Sequence, residues 1–489
     1  VDNLLSILIF TPLLAGLILA IFLRGDDDAA RQNAKWLALT ATGATFFVAL
    51  ALFVGFEPAN LGFQFEESRV ALFGLSYRLG VDGISLGFVM LTAALMPLAV
   101  GMSWTLTDRV KEFVIALLTF ETALLGAFLA LDVVIFVLFF ELAVIPAYLM
   151  AGLWGRKASG VSALKAWLYT LPGTVLMIFA LMAMAREAGT TDIADLLRHN
   201  FASEGQGALW LMIAASVALK AGIWPLHTWL PGLALRAPLV VGMLISVLVL
   251  KLGLYGFIRL SLSMLPAGTE AYGTVLMALA GIGIVLALLA AFAEEDLGRL
   301  LAYVAVSQTG IVVLSLVARG GMSFDGATMA IVSQGLALAG LFGLALMLEE
   351  RGGTREVSGF GALKVRMPRL SWAFMILVLA LAGMPGSGGF VALVLNALGV
   401  FPVSVAAAVV LAVGTALTAA LALVLYRKIM LGGLVKETLK LVPDLQRREQ
   451  VIVGLIIASL LLLGLFPGLL LDRTAPALTE LADQLATLE

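Results

Sequence analysis

Four ionisable residues sit in runs of this sequence too apolar to solvate them, and their types could do chemistry. Glu121 lies in Leu117–Leu131, and Glu141 is flanked by FVLFF and LAVIP. Lys220 lies between IAASVAL and AGIWP, and Lys251 between LISVLVL and LGLYG. A charge at mid-bilayer costs from about 3 to more than ~10 kcal/mol unless paired or hydrated, so such residues mark ion or proton paths. A structural ion pair or a snorkelling lysine is the plainer alternative. Opposite charges on separate spans invite pairing. Burial disfavours an ammonium and a nearby carboxylate favours it, so a lysine whose partner approaches or retreats is a switchable proton acceptor. About 1.4 kcal/mol moves its proton affinity tenfold. No bound cofactor is needed for that.

Helix breaks would position these groups. Pro225 follows Lys220 by five residues, in Lys220-Ala-Gly-Ile-Trp-Pro-Leu-His227. A proline inside a helix removes a backbone hydrogen bond and clashes one turn back, which a membrane tolerates where the break is buried or hydrated. The segment Gly383-Met-Pro-Gly-Ser-Gly-Gly389 interrupts a later span in the same way. Two broken spans, five apart, suggest two repeated five-helix units, 112–261 and 271–426, as in inverted-repeat transporters. The alternative is that glycine and proline are simply common in membrane helices. His227, near the inward end, reads either as a hydrogen-bonded structural residue or as a proton relay at a water-lined position.

The surrounding elements are transmembrane helices. The chain has 489 residues, is 62% hydrophobic and 13% charged, and has a mean hydropathy of +1.08, which leaves too little charge to coat a soluble domain of this size. Its apolar runs are continuous and many approach 20 residues, which argues for helices over an alternating β-barrel. About fourteen spans are expected: 3–23, 36–55, 83–104, 112–131, 133–154, 162–184 and 208–230, then 239–261, 271–293, 297–318, 324–348, 370–397, 401–426 and 450–471. The first of these, without a basic flank or a clean cleavage site, reads as a span and not as a signal peptide. All 489 residues form one membrane domain.

With the N-terminus outward, inner loops and helix ends hold 21 of the 30 basic residues, among them Arg156, Lys157, Arg351, Arg355, Lys364, Arg366, Arg427, Lys428, Arg447 and Arg448, and outer ones hold about seven. Two remain inside the membrane. Positive charge collects inside, so both termini are expected outside. Longer loops cover 56–82, 185–207, 349–369 and 427–449, and 472–489 reads as a short amphipathic tail on the outer surface. The absence of cysteine excludes disulfides, thiolate metal sites and iron–sulfur clusters in this chain. Only two histidines, His199 and His227, argue against a multi-histidine haem or metal centre, and no basic stripe points to nucleic acid.

Several motifs resemble one family. Phe139-Phe-Glu-Leu-Ala-Val-Ile-Pro146, Trp224-Pro-Leu-His-Thr-Trp-Leu-Pro231, Lys251-Leu-Gly-Leu-Tyr-Gly256 and Gly383–Phe390 are similar, in order and spacing, to the antiporter-like membrane subunits of respiratory complex I. Gly80-Val-Asp-Gly-Ile-Ser85 and the Lys35-Trp-Leu-Ala start of the second span resemble specifically the subunit M (chain 4 type) family of bacterial NADH–quinone oxidoreductase. The resemblance implies an all-α polytopic fold of fourteen helices, two inverted five-helix repeats, broken helices 7 and 12, and one proton channel. Glu121, Glu141, Lys220 and Lys251 match the family's buried path residues, linked by waters. It also implies a place in the bacterial inner membrane beside other complex I membrane subunits, including two homologous antiporter-like chains. Flavin, iron–sulfur clusters and quinone would belong to partner subunits of the translocase, and this chain would hold no redox site.

The departures concern the outer half of that path. The family's Asp-Ala-His-Val-Glu-Ala-Pro is here Gly232-Leu-Ala-Leu-Arg-Ala-Pro238. Two expected Ser-His pairs are Ser307-Gln308 and Ser333-Gln334. The expected Gly-Phe-Val-Gly-Glu-Phe-Leu is Gly389-Phe-Val-Ala-Leu-Val-Leu395, so the terminal glutamate is Leu393, and Asn396 nearby cannot titrate in its place. Gln308 and Gln334 can hold water but not a proton. The path looks intact from Glu141 to Lys251 and interrupted outward. Three readings stay open: a proton-translocating subunit M, a subunit of a multi-subunit cation/proton antiporter, or a non-pumping scaffold of a complex I variant.

Overall fold

The structure, a computed structural model, describes residues 3–25, 27–70, 76–433 and 442–486. Parts of the expected loops 56–82 and 427–449 and of the tail 472–489 therefore lie outside the described residues. The chain opens with α1 (Leu4–Phe22) and α2 (Asp28–Gly55), then a hairpin of β1 (Gln64–Val70) and β2 (Ser76–Val81). Next come α3 (Gly83–Met102), α4 (Val110–Leu129), α5 (Val133–Leu142), α6 (Val144–Leu153), α7 (Ser159–Ala188), α8 (Ile193–Arg198) and α9 (Ser203–Ala221). Short α10 (Trp229–Ala234), α11 (Leu239–Leu244) and α12 (Leu250–Gly256) follow, with π-helical turns at Ile245–Val249 and Phe257–Leu262. The remainder is α13 (Pro266–Ala293), α14 (Leu297–Val317), α15 (Gly321–Gly352), α16 (Leu363–Arg366), α17 (Pro368–Leu381), α18 (Gly388–Val400), α19 (Val405–Tyr426), α20 (Arg447–Leu465) and α21 (Gly468–Ala486).

Among the described residues, twelve helical stretches are long and apolar enough to cross a membrane. The expected spans 208–230 and 370–397 are not among them, because each is interrupted. The first is α9 and α10 around Gly222–Thr228, and the second is α17 and α18 around Ala382–Ser387. The physical cause is shared. Pro225 lies four residues past Ala221, the last residue of α9, and Pro385 lies four past Leu381, the last of α17. A proline ring clashes with the carbonyl four residues back, so the helix stops there. Gly222 (φ 66°) and Gly383 (φ 83°) then take the left-handed conformation that closes a helix end. Pro172 lies inside unbroken α7, so proline alone does not break a span here. Pro146 acts more mildly: α5 ends four residues before it, at Leu142, and α6 resumes after Ala143.

The helices gather into two compact units. The first comprises Val1–Ala221, Leu248–Val275 and Asp472–Glu489, and the second Gly222–Val247 and Leu276–Leu471. In the first unit α4 is the axis, packed on α1, α2, α3, α5 and α6, while α9 lies against α7 and α12. In the second, α15 is the axis, packed on α11, α14, α17, α18 and α20.

One local arrangement occurs in both units. In the first, Asp132 caps α5 through the amides of Val134 and Ile135, and its strand-like approach bonds a second segment through Val133 N–H to Thr191 O and Ile193 N–H to Leu131 O. In the second, Asp296 caps α14 through the Arg299 amide, with Leu297 N–H to Arg355 O and Val357 N–H to Glu295 O. A carboxylate at a helix start satisfies amides that have no partner within the helix.

Candidate proton-path residues

The first unit contains all four ionisable residues singled out above. Two of them meet: Lys220 Nζ lies 2.6 Å from Glu141 Oε1. The lysine also donates to the Phe140 carbonyl at 3.3 Å and sits 3.7 Å above the Phe140 ring. Lys220 is 3% exposed, whereas the Glu141 side chain is 25% exposed. Both residues stand one position before the end of a helix stopped by proline, at Ala221 and Leu142 respectively. The break thus places the ammonium beside a helix end, where carbonyls lack their usual amide partners and can accept from it.

Lys251 is buried in α12, between two π-helical turns. Such turns interrupt the hydrogen-bond ladder and are frequent at functional positions. Gly253 lets α12 touch the end of α9, since a Cβ there would lie 2.6 Å from the Ala221 amide nitrogen. That close approach brings the Lys251 helix onto the helix that carries Lys220. Glu121 is fully buried in α4, and neither carboxylate oxygen has a hydrogen-bond partner among the described residues. The Thr122 hydroxyl beside it is in the same condition. The structure therefore joins Glu141 to Lys220 directly and leaves Glu121 and Lys251 outside that ion pair.

In the second unit, Gln308, Gln334, Leu393 and Asn396 line one small pocket beside the break in the α17–α18 span, together with Leu381, Ala382 and Gly383. The pocket is about 30 Å³. The side-chain oxygens of Gln308, Gln334 and Asn396 are buried and without partners among the described residues. His227 lies in the other break, edge-on to Tyr303 at 6.2 Å. It does not line the glutamine pocket. Among the described residues no group of three or more histidines and carboxylates is placed to hold a metal ion.

Sequence reasoning missed two buried ion pairs. Arg259 donates to Asp82 at 2.7 Å and to the Tyr255 hydroxyl at 3.2 Å. Arg259 stands eight residues after Lys251 in the same apolar run, and that i, i+4, i+8 series of polar residues was the available signal. Arg351 makes a bidentate pair with Glu449, at 2.9 and 2.6 Å. Nothing local marks it, because the partners are 98 residues apart.

Comparison with known proteins agrees with this architecture. The family described as "NADH:quinone oxidoreductase/Mrp antiporter, TM" matches residues 130–418. NADH-quinone oxidoreductase subunit M of Rhodobacter capsulatus is 43% identical, covering 98% of this chain and 96% of its own. NADH-ubiquinone oxidoreductase chain 4 of Arabidopsis thaliana is 32% identical, covering 96% and 94%. A chain of respiratory complex I from Thermus thermophilus superposes with a TM-score of 0.90 at 28% identity, covering 98% of this chain and 99% of that one. A chain of an Mrp complex from Dietzia sp. shares the fold, with a TM-score of 0.86 at 19% identity over 99% and 98%. On the strength of the matched region and of relatives aligned from end to end, this chain belongs to the subunit M family of NADH-quinone oxidoreductase.

Proposed function

We propose that this chain works as the antiporter-like subunit M in the membrane arm of a proton-translocating NADH–quinone oxidoreductase. Glu141 and Lys220 load and release the proton, and Glu121 and Lys251 extend the path. The observation that carries this is the Lys220–Glu141 contact at 2.6 Å, with the lysine buried and the carboxylate partly open. Separating that pair leaves a buried ammonium without its counter-ion, which favours proton release. Closing it favours proton uptake. Redox energy would reach the pair through neighbouring subunits, among them two homologous antiporter-like chains, and flavin, iron–sulfur clusters and quinone would lie in those partners. Its setting would be the bacterial inner membrane, with both termini on the outer side.

We also read the fold as two inverted five-helix repeats, 112–261 and 271–426, within a fourteen-span whole that ends in an outer-surface tail at 472–489. The aspartate-capped bridge, found once at Asp132 and again at Asp296, supports that reading, as does the common chemistry of the two broken spans.

The test is the number of protons moved per electron by the assembled complex in vesicles. Lys220→Ala and Glu141→Gln should each lower it. An unchanged ratio in an assembled, quinone-reducing complex would instead favour the non-pumping scaffold, a reading that draws on Leu393. Purification with only small membrane proteins, and none bearing flavin or iron–sulfur clusters, would favour the cation/proton antiporter.

A further inference from the structure

The Arg259–Asp82 pair has no role in the path above, yet it is fastened to the helix that carries Lys251. Lys251, Tyr255 and Arg259 follow one another in four-residue steps through α12 and the π-helical turn after it. Eight residues at ~1.5 Å each put Arg259 about 12 Å from Lys251 along the axis. The guanidinium is held on two sides, Nε donating to the Tyr255 hydroxyl at 3.2 Å and Nη2 to Asp82 at 2.7 Å. Tyr255 in turn donates to the Phe128 carbonyl on α4 at 3.1 Å, and the Phe88 and Phe128 rings lie 5.4 and 5.2 Å from its own. Asp82 caps α3, accepting from the Ser85 amide at 2.9 Å. Arg259 and Asp82 are 2% and 7% exposed, and every residue from Lys251 to Arg259 is buried, so protein and not solvent surrounds the two cations.

We infer that Asp82 and Arg259 are positioning residues for proton transfer: the carboxylate cancels a fixed cation about two turns from Lys251, and so sets how firmly Lys251 holds its proton. The inference rests on the proton-path reading above. At ~12 Å and an effective dielectric of about 20, an unbalanced unit charge changes a neighbour's proton affinity roughly tenfold. Arginine stays charged at every accessible pH, so without Asp82 its cation opposes an ammonium at Lys251. Other charges near Lys251 are the same with or without the pair. Besides that π-helical turn, α12 packs on α9, α4 and α3. Lys220 comes from α9, with Glu141 2.6 Å away, Glu121 comes from α4, and α3 itself has no ionisable side chain. Glu66, Arg78, Asp195, Arg198 and Glu480 share an outer cavity of about 600 Å³ with Asp82 and Arg259, but all five are exposed or half-buried, where water and salt screen them.

The test reads the proton-to-electron ratio of the assembled complex in vesicles against pH, and takes the midpoint of its fall on the alkaline side. Asp82→Asn should move that midpoint toward acid by about one pH unit. Asp82→Asn combined with Arg259→Gln should return it close to wild type, since both charges are then gone. A pair that only held helices together would leave the double variant as impaired as the single. Arg259→Gln alone should move the midpoint the other way, because the Asp82 carboxylate remains at the start of α3, and it replaces Asp82→Asn if that variant does not assemble. Arg259→Lys, which keeps the charge, should leave the midpoint near wild type. Midpoints that stay in place, or that move in the same direction for Asp82→Asn and Arg259→Gln, would overturn the inference. So would a double variant that shows no recovery. An unchanged ratio and profile in Lys251→Met would instead overturn the path reading on which the inference depends.

Discussion

At the scale of single residues, the decisive fact is that Lys220 and Glu141 are paired at depth. Removing one partner of a fully buried pair costs about 3–5 kcal/mol, and less here because the Glu141 carboxylate left behind is partly open, whereas replacing both with apolar groups is often neutral. Lys220→Met alone should therefore lower the thermal unfolding midpoint of the purified chain, and Glu141→Leu added to it should recover most of the loss. A double variant no more stable than the single would show that the pair contributes little. Asp82, just outside the third span, gives a pH-dependent counterpart. Burial raises its pKa, but the charge and hydrogen bond of Arg259 and the bonds from Ser85 outweigh this and hold it below the ordinary carboxylate value. Its contribution is thus complete above the ordinary value and is lost as pH falls through the lower folded one. Asp82→Asn should destabilise the chain at neutral pH, with a difference from wild type that shrinks in acid. A difference independent of pH would assign the loss to packing.

Among the elements, the broken spans matter most. Their existence was legible from Pro225, Pro385 and the glycines around them, but their limits were not. Pro172 leaves α7 whole, and only the left-handed turn at Gly222 or Gly383 separates a stopped helix from a bent one. Alanine at Gly383 would enter a left-handed conformation, costing about 1–2 kcal/mol, and its Cβ would lie 2.9 Å from a Leu393 methyl. Gly383→Ala should lower stability by at least that amount in thermal denaturation. Gly253→Ala should act through crowding against Ala221, by about 1–3 kcal/mol, and should depress the proton-to-electron ratio beyond what its stability loss explains. A normal ratio in this variant would show that the approach of α12 to α9 is not needed for transfer. The second aspartate-capped bridge was not legible at all, since Asp132 and Asp296 look like ordinary loop acids in the sequence.

For the molecule as a whole, the inner excess of lysine and arginine fixes an expected orientation that can be measured directly. The chain has no cysteine, so single cysteines report cleanly. Glu480→Cys, exposed on α21, should react with a membrane-impermeant thiol reagent added from the outer side. Arg366→Cys, exposed at the end of α16, should react only when the inner side is open. The reverse pattern would invert the topology and, with it, the outer side toward which protons would leave.

The sequence by itself determined the class of the molecule, its buried charges and its helix breaks, because hydrophobic run length, isolated charge and proline chemistry are local properties. It also placed Gln308, Gln334 and Leu393 where the family it resembles is expected to carry titratable groups. Only the tertiary structure decided which buried charges touch. Glu141 and Lys220 are 79 residues apart, and their contact depends on two helix ends meeting. The same holds for the pocket shared by Gln308, Gln334, Leu393 and Asn396, which lie on three helices. Proximity across packed helices follows from side-chain shape along their whole length, which no short stretch of sequence contains.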